Sequence, residues 1–168
     1  MNSIEIKELS KSFKNRKAVD SLSLEIESGK IFGLLGQNGA GKTTTIKILC
    51  GLLSPDSGDA LVEGNSIVTE LQKVKQLVSV SPQETAVAKK LTVFENLEFI
   101  AEIYGDKKSE AKKKAEAMLE KFSLSERAKD KAKSLSGGTA RKLSIAMALI
   151  NEPRVLFLDE PTLGLDVR

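Results

Sequence analysis

Residues 31–50 read IFGLLGQNGAGKTTTIKILC, and the fold turns on this stretch. Its middle, GQNGAGKT at 36–43, fits the pattern G-x-x-x-x-G-K-[ST]. The apolar run at 31–36 reads as a buried strand. Beyond Lys42, residues Ile46, Leu49, Cys50 and Leu53 fall at i, i+3, i+4 and i+7, one face of a helix. Strand, glycine-rich loop and helix in that order make a phosphate cradle. The glycines let backbone N–H groups converge on phosphate oxygens, and the helix N-terminus adds partial positive charge. Gly36, Asn38, Gly39, Ala40, Gly41, Lys42, Thr43 and Thr44 are therefore candidate nucleotide-binding residues. Lys42 would reach the β- and γ-phosphates, and the Thr43 hydroxyl would bind Mg2+.

Working outward, SIEIKEL, SLSLEIES and ALVEG read as further strands, the first two alternating and half buried. QLVSVSPQ at 76–83 is another strand candidate. From residue 92 to 150 the pattern becomes helical, in TVFENLEFIAEIYG, SEAKKKAEAMLEKF and TARKLSIAMALI, separated by Gly and Ser. RVLFLD at 154–159 returns to strand, and its near-continuous apolar run predicts cover on both faces. Asp159 at the end of that strand is placed to hold Mg2+ beside a phosphate cradle, and Glu160 to polarise a water for attack on the γ-phosphate.

The chain of 168 residues is 40% hydrophobic and 29% charged, an ordinary globular composition with a net charge of +3. The basic region at 107–114 is mixed with acids and reads as an exposed helix rather than a nucleic-acid patch. There is no histidine, which excludes histidine acid–base catalysis and the commonest zinc sites. The single cysteine, Cys50, allows no disulfide within the chain and reads as a small core residue. No run of 18 or more apolar residues and no signal-peptide core are present, so a cytosolic location is expected.

LSGGTARK at 135–142 separates the chain from other P-loop proteins. Ser136 is a good N-cap, Gly137 and Gly138 permit close backbone approach, and Leu143, Ala146, Met147 and Ile150 form one apolar face of the helix that follows. It is a second helix N-terminus suited to an anion.

With these motifs in this order, the sequence resembles the nucleotide-binding domain of an ATP-binding cassette (ABC) transporter over nearly its whole length. The flavour is that of the ATPase subunits of ABC-2-type exporters. The resemblance implies that Phe13 stacks on adenine, where Tyr is more usual. It implies that Gln83 touches Mg2+ and the attacking water and relays to the membrane partner. Ser136, Gly137 and Gly138 would face ATP bound to a second subunit, and Asp166 would lie at the dimer seam. Thr139 stands where Gln is most common and Gln37 where Pro or Ser is common; the latter position contributes mainly backbone. In isolation, Phe13 would read as a core residue and Gln83 as a loop residue.

The expected fold is α/β: a P-loop NTPase core of RecA-like type with mainly parallel strands, an antiparallel β layer and an inserted helical subdomain. One domain is expected, with core at 1–85 and 152–168 and the helical subdomain at 86–151. The expected activity is Mg2+-dependent ATP hydrolysis, with a second ABC ATPase subunit and a transmembrane permease as partners and no nucleic acid. The subunit would sit peripherally on the cytoplasmic face of the membrane. A non-transport ABC ATPase of translation or DNA repair is the alternative; a P-loop kinase or GTPase is disfavoured by LSGGT and by Glu160 following Asp159. The family continues into a strand carrying a switch histidine, so the chain is expected to be C-terminally truncated and weak in hydrolysis by itself.

Overall fold

The computed structural model describes residues 2–160. The chain divides into two compact units, Met1–Ser79 and Val80–Arg168.

In the first unit, strands β1 (Asn2–Phe13) and β2 (Arg16–Glu27) form a long hairpin, and β3 (Ser57–Val62) and β4 (Asn65–Ser66) complete an antiparallel sheet of order β2-β1-β3-β4. This is the expected antiparallel layer. Strict alternation along β1 would put Glu8 on the face of Ile4 and Ile6. Instead Glu8 adopts φ +50 and the register shifts, between Ile6 and Leu9 against β2 and between Lys7 and Ser10 against β3. The bulge changes the phase, so Leu9 is buried with Ile4 and Ile6 while Glu8 is exposed.

Helix α1 (Lys42–Leu49) follows the glycine-rich loop, and α2 (Leu71–Leu77) precedes β5 (Val78–Ser81). The start of the strand expected at 76–83 is thus the end of α2. On α1 the buried side is Thr45, Ile48 and Leu49, with Cys50 behind, while Ile46 is half buried. Burial pushes the Cys50 thiol up to about 12, so it stays protonated at neutral pH and chemically quiet.

The strand expected at 31–36 is not formed. Residues 30–37 carry no regular structure, and Ile31, Phe32, Leu34 and Leu35 are exposed, Leu35 to 93%. A continuous apolar run becomes a central strand only when neighbours pair with its backbone on both sides. Among the described residues no strand pairs with it.

In the second unit, β6 (Val155–Leu158) pairs with β5, and the unit boundary falls inside β5. Cover on both faces of β6 is not observed: Val155 to Phe157 are half buried and Leu158 is 37% exposed. Helices α3 (Val93–Ile103), α4 (Lys108–Lys121) and α5 (Gly137–Leu149) also lie in this unit, with short 3-10 turns at Ser125–Arg127 and Ala132–Ser134. A reciprocal capping box starts α3: the Glu95 N–H donates to Thr92 Oγ1 at 3.1 Å, and the Thr92 N–H donates to Glu95 Oε2 at 2.6 Å. That backbone hydrogen bond holds the Glu95 carboxyl below its usual range.

Val93, Leu97 and Ala101 of α3, Ala111, Ala115 and Leu119 of α4, and Leu143, Ala146 and Ile150 at α5 make one core, with Met147 packed against it. The apolar face predicted for α5 is therefore the one that is buried. On α4 the half-buried Lys114 pairs with Asp106 at 2.5 Å, while Lys112 and Lys113 face outward beside Glu116 and Glu110 at 3.9 Å. Exposed pairs of this kind contribute little to stability.

Candidate nucleotide site

The glycine-rich loop lies against the start of β2. Gly41 has φ +85, and a Cβ there would overlap the Ala18 carbonyl oxygen. Only glycine combines that backbone conformation with so close an approach. Arg16 Nη2 donates to the Gly39 carbonyl at 3.2 Å, a second tie between hairpin and loop. Lys42 Nζ donates to the carbonyls of Gly36 (2.7 Å) and Gln37 (3.0 Å), and the Ala40 N–H donates to Gln37 at 3.1 Å. These bonds bend the loop around the ammonium group. An arriving phosphate would compete with those carbonyls for the same donors.

Thr43 and Thr44 occupy the first turn of α1, whose N-cap is Gly41. A cleft of about 390 Å3 runs beside the loop, lined among others by Ala18, Val19, Leu35, Ala40 and Lys42. Phe13, at the end of β1, pairs with Arg16 across the hairpin turn and is half exposed, with Lys11 Nζ 6.0 Å from its ring centre. It is a surface aromatic, not the core residue that its apolarity alone would suggest.

The second unit brings Gln83, Asp159 and Glu160 together at the ends of β5 and β6. The Asp159 N–H donates to the Ser81 carbonyl at 3.0 Å, and Asp159 is buried. Glu160, at φ +48, occupies the left-handed region that a non-glycine residue enters at a cost of about 1–2 kcal/mol. Gln83 Nε2 donates to Glu160 Oε2 at 3.0 Å. Sequence reasoning placed these two residues separately on the water. The structure joins them directly, leaving the second carboxylate oxygen of Glu160 and the amide oxygen of Gln83 to face other groups.

Ser136 caps α5. Its Oγ accepts from the Thr139 N–H at 3.3 Å and shares a hydrogen bond with Thr139 Oγ1 at 2.9 Å. Thr139 is therefore part of the cap. Gly137 and Gly138 form the first turn of the helix. Asp166 lies outside the described residues.

Two basic residues escaped the sequence reading. Arg16 carried no signal beyond its place beside Phe13. Arg141 had one: at about 100° per residue it shares with Ser144 and Ala148 a face of α5 roughly opposite the apolar one. All three are buried, and Ser144 Oγ is 3.0 Å from Ser81 Oγ.

The first unit carries a glycine-rich loop folded around Lys42 ahead of a helix, and the second an acid–amide pair and a capped glycine helix, motifs of the P-loop nucleotide-binding class. The profile of the ABC transporter family matches residues 19–163, and the chain belongs to that family. It is 43% identical over 163 residues to the linearmycin resistance ATP-binding protein LnrL of Bacillus subtilis, covering 97% of this chain and 52% of LnrL. It is 42% identical over 151 residues to the doxorubicin resistance ATP-binding protein DrrA of Mycobacterium tuberculosis, covering 90% and 46%. It is 44% identical over 163 residues to the human retinal-specific phospholipid-transporting ATPase ABCA4, covering 96% and 7%. The chain thus spans about half the length of the two bacterial relatives. A solved structure described as the ATP binding subunit of an ABC transporter superposes with a TM-score of 0.83 at 29% identity, covering 97% of this chain and 68% of that one. The expected α/β fold with its antiparallel layer is the fold of that subunit.

Proposed function

We propose that the chain is a single ABC ATPase domain that binds and hydrolyses ATP to power an exporter, paired with a second such domain and a transmembrane permease. The observation that carries this reading is the hydrogen bond between Gln83 and Glu160 at the end of a strand, in a chain that also holds the Lys42 cradle. The two bacterial relatives named for drug resistance support export over a role in translation or repair. No helix among the described residues is long and apolar enough to cross a membrane, so the permease would supply the pathway. Such a partner would hold the domain at the cytoplasmic face.

In this scheme Phe13 stacks on the adenine ring, and the N–H groups of residues 36–44 together with Lys42 bind the phosphates. Glu160 takes the proton of the attacking water as its oxygen bonds to the γ-phosphorus and ADP departs. Gln83 orients Glu160 through the bond already present. The α5 N-terminus, with Ser136, Gly137 and Gly138, meets the γ-phosphate held by the second domain, and Asp166 lies at the seam. Thr43, Gln83 and Asp159 would each offer an oxygen to Mg2+, a hard cation that needs only one or two carboxylates besides phosphate. When bound, Mg2+ would neutralise charge on the β- and γ-phosphates.

Closure is testable by sedimentation. The full-length Glu160→Gln variant should shift from monomer to dimer on addition of MgATP and remain monomeric with ADP. A variant that binds ATP yet stays monomeric would contradict the two-domain scheme.

A further inference from the structure

Arg141 is a buried cation whose described hydrogen-bond partners are backbone carbonyls. It is 1% exposed. Its Nη2 donates to the Asp159 carbonyl at 2.7 Å, and its Nη1 donates to the carbonyls of Pro82 and, at 3.5 Å, Gln83. Its Nε has no hydrogen-bond partner among the described residues. Burying a guanidinium is costly unless its donors are satisfied, and charge-assisted bonds to carbonyls are among the stronger ones available. The three carbonyls belong to the two segments whose side chains form the Gln83–Glu160 pair. The arginine itself stands on α5, one turn from Ser136 and the glycines of the helix start.

We infer that Arg141 is a positioning residue for hydrolysis, fixing the backbones of Gln83 and Asp159 so that Gln83 and Glu160 meet, and tying that pair to the helix that faces the second nucleotide. This rests on the ATPase reading above. The planar fork of the guanidinium reaches two segments at once, which the point charge of lysine does less well. Glu160, held at φ +48, depends on such support because a strained residue persists only when its surroundings fix it.

The test uses the full-length protein, with folding checked by circular dichroism. Arg141→Met, close in volume and without donors, should lower kcat by about 100-fold, the scale of a small misplacement of reacting groups, with KM for ATP within about threefold. Arg141→Lys should recover part of kcat. In a Glu160→Gln background, Arg141→Met should lower the residual rate by no more than about threefold, since residues acting as a unit are non-additive. A folded Arg141→Met protein with wild-type kcat, or the same 100-fold loss in both backgrounds, overturns the inference. If Arg141→Met does not fold, Arg141→Lys decides: wild-type kcat overturns the inference, and a lowered kcat at unchanged KM upholds it. A wild-type protein that lacks ATP turnover would overturn the ATPase reading and this inference together, whereas active wild type with an indifferent Arg141→Met overturns this inference alone.

Discussion

Replacing Glu160 by Gln in the full-length protein is expected to lower kcat for ATP hydrolysis by about two to three orders of magnitude, the usual share of a positioned base. Affinity for ATP should change by less than about threefold, because in the proposed scheme the loop of residues 36–44 binds the nucleotide and the base does not. The substituted amide keeps the shape of the side chain, and its oxygen can still accept from Gln83 Nε2 as Glu160 does at 3.0 Å. What it loses is the ability to take a proton. Single-turnover phosphate release together with equilibrium nucleotide binding separates the two effects. Unchanged hydrolysis with intact binding would remove Glu160 from the role of base.

Gly41→Ala should be the most damaging change of a single methyl group. The left-handed φ of +85 costs an alanine about 1–2 kcal/mol, and its Cβ would overlap the Ala18 carbonyl. Relief of that overlap costs about 1–3 kcal/mol more if the loop gives way. Either the first unit loses stability or the loop leaves its curve, and in both cases the loop shape proposed to bind phosphate is disturbed. The expected result is a lower melting temperature with ATP affinity reduced by about 100-fold or more, roughly the loss of two charge-assisted hydrogen bonds. Calorimetric binding alongside a thermal melt reads both. Wild-type values in each would show that the loop tolerates a shifted backbone.

The sequence carried some of this architecture plainly and some not at all. The helices of the second unit were legible because α3, α4 and α5 repeat apolar residues at helical spacing, and α3 and α5 start from recognisable signals: Thr92 with Glu95, and Ser136 before two glycines. The antiparallel layer was legible from alternation, except at the bulge, where one inserted residue puts Leu9 inside in place of Glu8. The run at 31–36 misled because hydrophobicity reports a preference for burial, whereas strand formation also needs a pairing partner that a local window does not contain. β6 misled for a related reason, being half buried where its composition suggested cover on both sides. α2 was missed because its short charged stretch, LQKVKQL, buries only Val74.

At the candidate site, the cradle and the α5 cap were visible as local motifs. The partnership of Gln83 with Glu160 joins residues far apart in sequence, so no spacing rule could display it. Arg141 was hidden for a different reason. A charged residue on a helix reads as solvent-facing, and although its face shared with Ser144 and Ala148 hinted at burial, its partners on two other segments show only in the tertiary structure.

ATP hydrolysis at the Lys42 loop is the activity on which the other expectations depend. Its most direct measurement is steady-state phosphate release by purified full-length protein supplied with MgATP, compared with the same protein bearing Lys42→Ala. Saturable release that is abolished by the substitution and by chelation of Mg2+ is the expected result. Turnover that survives Lys42→Ala, or a folded wild-type protein that binds MgATP and releases no phosphate, would contradict it.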